Sequence, residues 1–108
     1  MNPGKIASQA GHAFLGAFLA SLRNPSFKAQ AEQYADEAPG TKVALGAKHE
    51  GHIDLVCDEA ERLGIPFFRV IDSGCPNFFD GKPITTAVGL GPARRDQVQS
   101  ITTRFNLI

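Results

Sequence analysis

The stretch EGHIDLVCDEAERLGIPFFRVI, Glu50–Ile71, decides the fold class. Apolar Ile53, Val56, Cys57, Ala60 and Leu63 recur at helical spacing, which predicts an amphipathic helix from Glu50 to Leu63. Gly64 is the expected stop, because glycine takes the left-handed conformation that ends a helix. Pro66–Ile71 (PFFRVI) then reads as a strand, rich in aromatic and β-branched residues. A helix followed closely by a strand sits within a wider order of helix, helix, strand, helix, strand, strand, helix, which is an α/β pattern.

Working outward, Asp72–Pro83 is dense in turn residues (Gly74, Pro76, Asn77, Gly81, Pro83) and reads as a loop. Thr85–Leu90 is the next strand, and Gly91-Pro92 is expected to open a last helix running to about Arg104. The apolar tail Phe105–Ile108 is suited to packing on the core. Upstream, Thr41–Ala47 (TKVALGA) alternates and predicts a further strand. Ser26–Glu37 reads as a helix with Ser26 as its cap and Pro39-Gly40 as its stop. Pro3–Arg23 reads as the first helix, with Pro3 where a missing N–H costs little and Asn24-Pro25 as terminator. The expected architecture is an α/β three-layer sandwich: a small mixed β-sheet with helices on both faces, in one domain spanning residues 1–108.

Composition narrows the function classes. The chain has 108 residues, enough for one domain and too few for two. Eleven basic and eleven acidic residues give a formal net charge of zero. That argues against a broad, non-specific nucleic-acid binder, though a local basic patch is compatible with it. No apolar run nears the ~20 residues that cross a bilayer, and the N-terminus lacks the order of a signal peptide. The expectation is a cytoplasmic protein without a membrane partner. Cys57 and Cys75 are then expected as reduced thiols rather than a disulfide.

Functional chemistry concentrates on the first helix. Lys5, Gln9 and His12 stand at i, i+4 and i+7 on one face, with Ser8 beside them. The same face continues through Leu15, Leu19 and Leu22, so only its polar N-terminal half is expected to meet solvent or substrate. A lysine here opposes the helix dipole, which favours anions at an N-terminus. The spacing alone is equally that of a solvated surface lysine. Ala7, Ala10, Gly11, Ala13, Gly16, Ala17 and Ala20 would let this helix approach a sheet closely, offsetting the ~1 kcal/mol each helical glycine costs.

Three segments carry a resemblance. GKIASQAGHA (Gly4–Ala13), VIDSG (Val70–Gly74) and TAVGLGP (Thr86–Pro92) resemble, in order, the motifs of the archaeal and eukaryotic, type-two peptidyl-tRNA hydrolases. The resemblance implies hydrolysis of the ester joining a peptide to tRNA, which recycles the tRNA in translation, with no metal and no organic cofactor. It implies Lys5, Asp72 and Thr86 as catalytic or substrate-contacting residues, and Gln9 and His12 as substrate-binding neighbours. Ester hydrolysis needs an activated water and a group that stabilises an oxyanion. Asp72 could orient Lys5 or a water, Lys5 could serve the oxyanion or a phosphate, and Thr86 could hold the water or the carbonyl. Lys5, Lys82, Arg94 and Arg95 are the candidate phosphate contacts. Peptidyl-tRNA is the expected partner, and a homodimer is compatible with the sequence.

The chain departs from the family pattern in two places. It begins almost at the first helix, where the family has a strand. After Asp72, Cys75 and Pro76 stand where the family carries an arginine and a threonine. Two alternatives follow: a non-catalytic RNA- or protein-binding member of the fold, or a hydrolase acting on another small ester or amide. Other features suit structural roles as well as functional ones. Gly89-x-Gly91-Pro92 with Arg94-Arg95 suits a phosphate at a helix start or a plain tight turn. His49-Glu50-x-His52 lacks zinc-ligand spacing and suits helix capping. Cys75 with His12 could form a thiol–histidine pair, and Phe78-Phe79 could stack on a base or simply pin their loop.

Overall fold

The computed structural model describes residues 3–37, 40, 42, 43, 45, 46, 50–72 and 84–105. Within them the chain runs α1 (Pro3–Leu22), α2 (Lys28–Asp36), α3 (Glu50–Leu63), β1 (Phe67–Asp72), β2 (Ile84–Leu90) and α4 (Arg95–Thr102). This is a compact mixed α/β fold. The predicted strand over 41–47 lies partly outside the described residues. Of those described, Lys42, Val43 and Gly46 have no strand pairing, and Leu45 makes an isolated bridge.

β1 and β2 form an antiparallel pair, Phe67 opposite Leu90 and Asp72 opposite Ile84. The register slips between Val70 and Ile71: Val70 faces Ala87, whereas Ile71 faces Thr85. Thr86 is therefore the extra residue of a β-bulge, which bends a strand and re-aims a side chain. Its hydroxyl donates to the Val70 carbonyl, 3.4 Å away. Beyond β2, the Gly91 N–H bonds the Pro66 carbonyl at 3.0 Å and carries the pairing one step further.

Two different surfaces meet the strands. Phe27, Val56, Ala60, Ile65 and Ile101 form the apolar core, with Val88 and Leu90 of β2 packed against it. Ile101 is 2% exposed, and burying such a side chain stabilises by roughly 1.5–3 kcal/mol. The intervening Gly89 faces α1 instead. A side chain there would run into the Ala13 carbonyl oxygen and come within 2.9 Å of the Ala17 Cβ. Gly16 meets the ring of Phe68 in the same way. The small residues of α1 thus give it the close approach that the sequence suggests. Gly11 is the exception, with nothing within 4 Å of where its Cβ would stand.

Helix ends follow local chemistry, with two departures from expectation. Gly64, at φ 72°, closes α3: the Ile65 N–H bonds the Ala60 carbonyl and the Gly64 N–H that of Glu61. Ser26 does not cap α2, which begins at Lys28. Asn24 intervenes, its side-chain oxygen accepting the Ser26 N–H at 2.9 Å in a local turn. The last helix begins at Arg95 rather than at Pro92, because Gly91 at φ 78° first turns the chain. Its start is fixed by Gln97, whose side-chain oxygen accepts the Arg94 N–H at 2.7 Å. The Gln30 and Gln97 amides bond one another at 3.0 and 3.3 Å, tying α2 to α4. From the tail, Phe105 packs against the core, its ring 5.9 Å from His52.

Candidate functional site

The direction of α1 decides which residues can meet. Gly16 lies against Phe68, near the start of β1, and Ala20 and Asn24 share a surface depression with Gly64, Ile65 and Pro66. The C-terminal half of α1 therefore sits where β1 begins, and the helix runs antiparallel to β1. Going back from Gly16 to Lys5 covers about 16 Å at 1.5 Å per residue. Going forward from Phe68 to Asp72 covers about 13 Å at 3.3 Å per residue. The N-terminal turn of α1 thus lies toward the end of the sheet where β1 stops at Asp72 and β2 starts at Ile84.

The face of α1 splits in a way that hydrophobic periodicity does not show. Lys5 and His12 are exposed, but Gln9 is buried on a stripe with Ala13, Ala17 and Ser21. Leu15, at 60% exposure, and Leu19, at 38%, stand outward, so the expected burial of that half of the face is corrected. The reason is the tight contact itself: only small or flexible side chains fit between helix and sheet, so the bulky leucines are displaced outward. The oxygen Oε1 of Gln9 is buried without a hydrogen-bond partner among the described residues.

At the start of β2, Thr85 is buried, and its N–H reaches the Glu50 carboxylate at 3.5 Å. Glu50 opens α3, so this helix too starts at the Asp72 end of the sheet. That contact, and the bulge at Thr86, were not visible in the sequence. A bulge depends on pairing register, which no local pattern encodes. On α3, Asp54 pairs with Arg69, and Cys57 lies buried beside that arginine. Burial pushes the Cys57 thiol up from its ordinary range, with the Arg69 charge opposing the shift.

Of the expected phosphate contacts, the described ones stand at different ends of the sheet. Arg94 and Arg95 follow β2 at its far end, about 20 Å from the Ile84 end by strand length. Arg94 is paired with Asp96 at 3.2 Å, and both are exposed. Lys82, Cys75, Phe78, Phe79 and His49 lie outside the described residues, as do the proposed Cys75–His12 pairing and the loop after Asp72.

The profile of the family described as peptidyl-tRNA hydrolase PTH2 matches residues 1–108. The chain belongs to this family. It is 33% identical to a peptidyl-tRNA hydrolase of Pyrobaculum aerophilum over 96% of its own length and 84% of the relative's. It is likewise 33% identical to one of Methanopyrus kandleri, over 100% and 88%. A peptidyl-tRNA hydrolase of Halobacterium salinarum is 31% identical, over 99% and 88%. In this PTH2 chain no helix among the described residues is long and apolar enough to cross a membrane.

Proposed function

We propose that this chain hydrolyses the ester of peptidyl-tRNA, releasing the peptide as a carboxylate and the tRNA with a free terminal hydroxyl. The observation that carries the reading is the direction of α1, which sends Lys5 toward the strand ends bearing Asp72 and Thr86. That direction supports assigning Lys5, Asp72 and Thr86, from three separate stretches of the chain, to one substrate.

The chemistry assigns them different parts. Lys5, exposed on the first turn, presents positive charge to the oxyanion that forms when water adds to the ester carbonyl. Asp72, ending β1, orients the attacking water or Lys5. The Thr86 hydroxyl already spends its proton on the Val70 carbonyl, so what it has left to offer is a lone pair. It therefore accepts a hydrogen bond from the water. Gln9 and His12 border the substrate on α1, and Lys82, Arg94 and Arg95 contact phosphates of the tRNA. Arg94 and Arg95 stand too far from Lys5 to share one phosphate with it, which suits an extended polyanion. No cofactor takes part, and the cytoplasm is the expected location.

The test is release of labelled peptide from a peptidyl-tRNA, comparing wild type with Lys5→Ala and Asp72→Ala. Removing a group that stabilises the transition state costs on the order of 10²–10³ in rate. Full activity in either variant would falsify the assignment of that residue.

A further inference from the structure

Among the described residues of the candidate site, Gln9 is the polar side chain that is both buried and unsatisfied on its acceptor side. It is 9% exposed, and Oε1 has no hydrogen-bond partner among the described residues. A buried amide oxygen without a donor is costly, and native chains rarely tolerate one unless something else supplies the donor. Its place is specific. One helical turn, about 6 Å, separates it from Lys5 on one side and from Ala13 on the other. Ala13 faces Gly89, so a step of one turn toward the N-terminus brings Gln9 to the level of Ala87. Ala87 adjoins the bulged Thr86 and pairs with Val70. Gln9 thus lies on the sheet-facing side of α1, one turn from Lys5 and near the level of Thr86.

We infer that Gln9 is a specificity-determining residue whose Oε1 accepts a hydrogen bond from an N–H or O–H donor of the substrate beside the scissile ester. This rests on the proposed hydrolysis of peptidyl-tRNA. Such a substrate carries two donors next to that ester: the 2′-hydroxyl of the terminal ribose and the amide N–H of the esterified amino acid. Either would enter a site where its partner is already fixed and dry. A substrate lacking that donor would leave the oxygen unpaired in the complex, and sites built to bond an N–H or O–H reject such analogues strongly.

The experiment is a cycle between enzyme and substrate. Wild type and Gln9→Met are each given a standard peptidyl-tRNA, one with a 2′-deoxy terminal ribose, and one with an N-methylated amide. Wild type should lose on the order of tenfold in kcat/KM on one of the two altered substrates. Gln9→Met should be slower by a similar factor on the standard substrate, with no further loss on that same altered one. Methionine fills the amide's volume without a strong acceptor, so its melting temperature should match or exceed that of wild type. Losses that multiply for both altered substrates, or a lower melting temperature for Gln9→Met, would show that the amide serves the fold alone and overturn the inference. If wild type shows no turnover of the standard substrate, the functional reading fails as well. Turnover with multiplied losses overturns this inference and leaves that reading standing.

Discussion

The α1 contact and the α3–α4 core are built on opposite principles. Around Ile101, Val56 and Phe27, bulky side chains fill the space. Most polar groups nearby are answered: Asp54 holds a terminal nitrogen of Arg69, though the Arg69 Nε is buried without a partner, the carbonyls at the end of α3 are bonded through Gly64 and Ile65, and Gln30 and Gln97 bond each other. Under α1 the space is closed by glycine and alanine, and two polar atoms, Gln9 Oε1 and Ser21 Oγ, are buried without partners. The difference teaches where the fold draws its stability and where it accepts a cost. The core side is filled by bulky groups and leaves only the Arg69 Nε unanswered among the described residues, whereas the α1 side is held close with an orphan near each end, Gln9 on the side of Lys5 and Ser21 at the far end.

The comparison can be broken most severely at Gly89. In Gly89→Val the new side chain meets the α1 backbone at Ala13, which cannot rotate away as a flexible side chain would. Overpacking against a rigid neighbour should cost about 3 kcal/mol, a fall in Tm of roughly 12 °C or more for a domain of this size. Because α1 carries Lys5, hydrolysis should fall with it even below the melting range. Normal activity with an unchanged Tm would mean that the close α1–sheet contact does not set the site.

A milder change sharpens the contrast from the other side. Gly64 adopts φ 72° with nothing within 4 Å of a Cβ, so Gly64→Ala meets backbone strain and no clash. The expected cost is about 1 kcal/mol in denaturant unfolding, with kcat/KM unchanged. A loss of activity larger than the loss of stability would tie the α3 terminus to catalysis.

The smallest effect is confined to alkaline pH. Burial holds the folded Cys57 thiol above its usual value, so between about pH 8.5 and the folded value the unfolded chain loses this proton first. Stability contributed by the neutral thiol is therefore complete below that window and falls as pH rises through it. Unfolding free energy measured from pH 7 to 10 should bend downward for wild type, and Cys57→Ala should bend less. Identical curves for the two would remove Cys57 from the alkaline response.

Much of the fold was legible where a residue has one conformational use. Gly64 announced the end of α3, and the switch of pattern at Pro66–Ile71 announced β1, because backbone geometry there is set locally. Ser26 misled because Asn24, two residues earlier, competes for the same backbone donors. Gly91-Pro92 misled because a glycine needed at positive φ looks, in sequence, like a helix start. The site was legible in its residues and illegible in its shape. The face of α1 was read from its leucines, yet the buried stripe is Gln9, Ala13, Ala17 and Ser21, selected by size rather than hydrophobicity. A repeat of small residues at i+4, matched by Gly89 across the interface, was the signal that could have found it. The Thr86 bulge left no comparable trace.

The most direct measurement is single-turnover hydrolysis of peptidyl-tRNA by wild type and Lys5→Ala, with Tm recorded for both. Lys5 is exposed at the helix start, so its removal should leave Tm within about 2 °C, since surface substitutions rarely change stability by more than ~0.5 kcal/mol. The expected result is a rate lower by on the order of 10²–10³ at unchanged Tm. Equal rates for the two proteins would contradict the placing of the reaction at the N-terminus of α1.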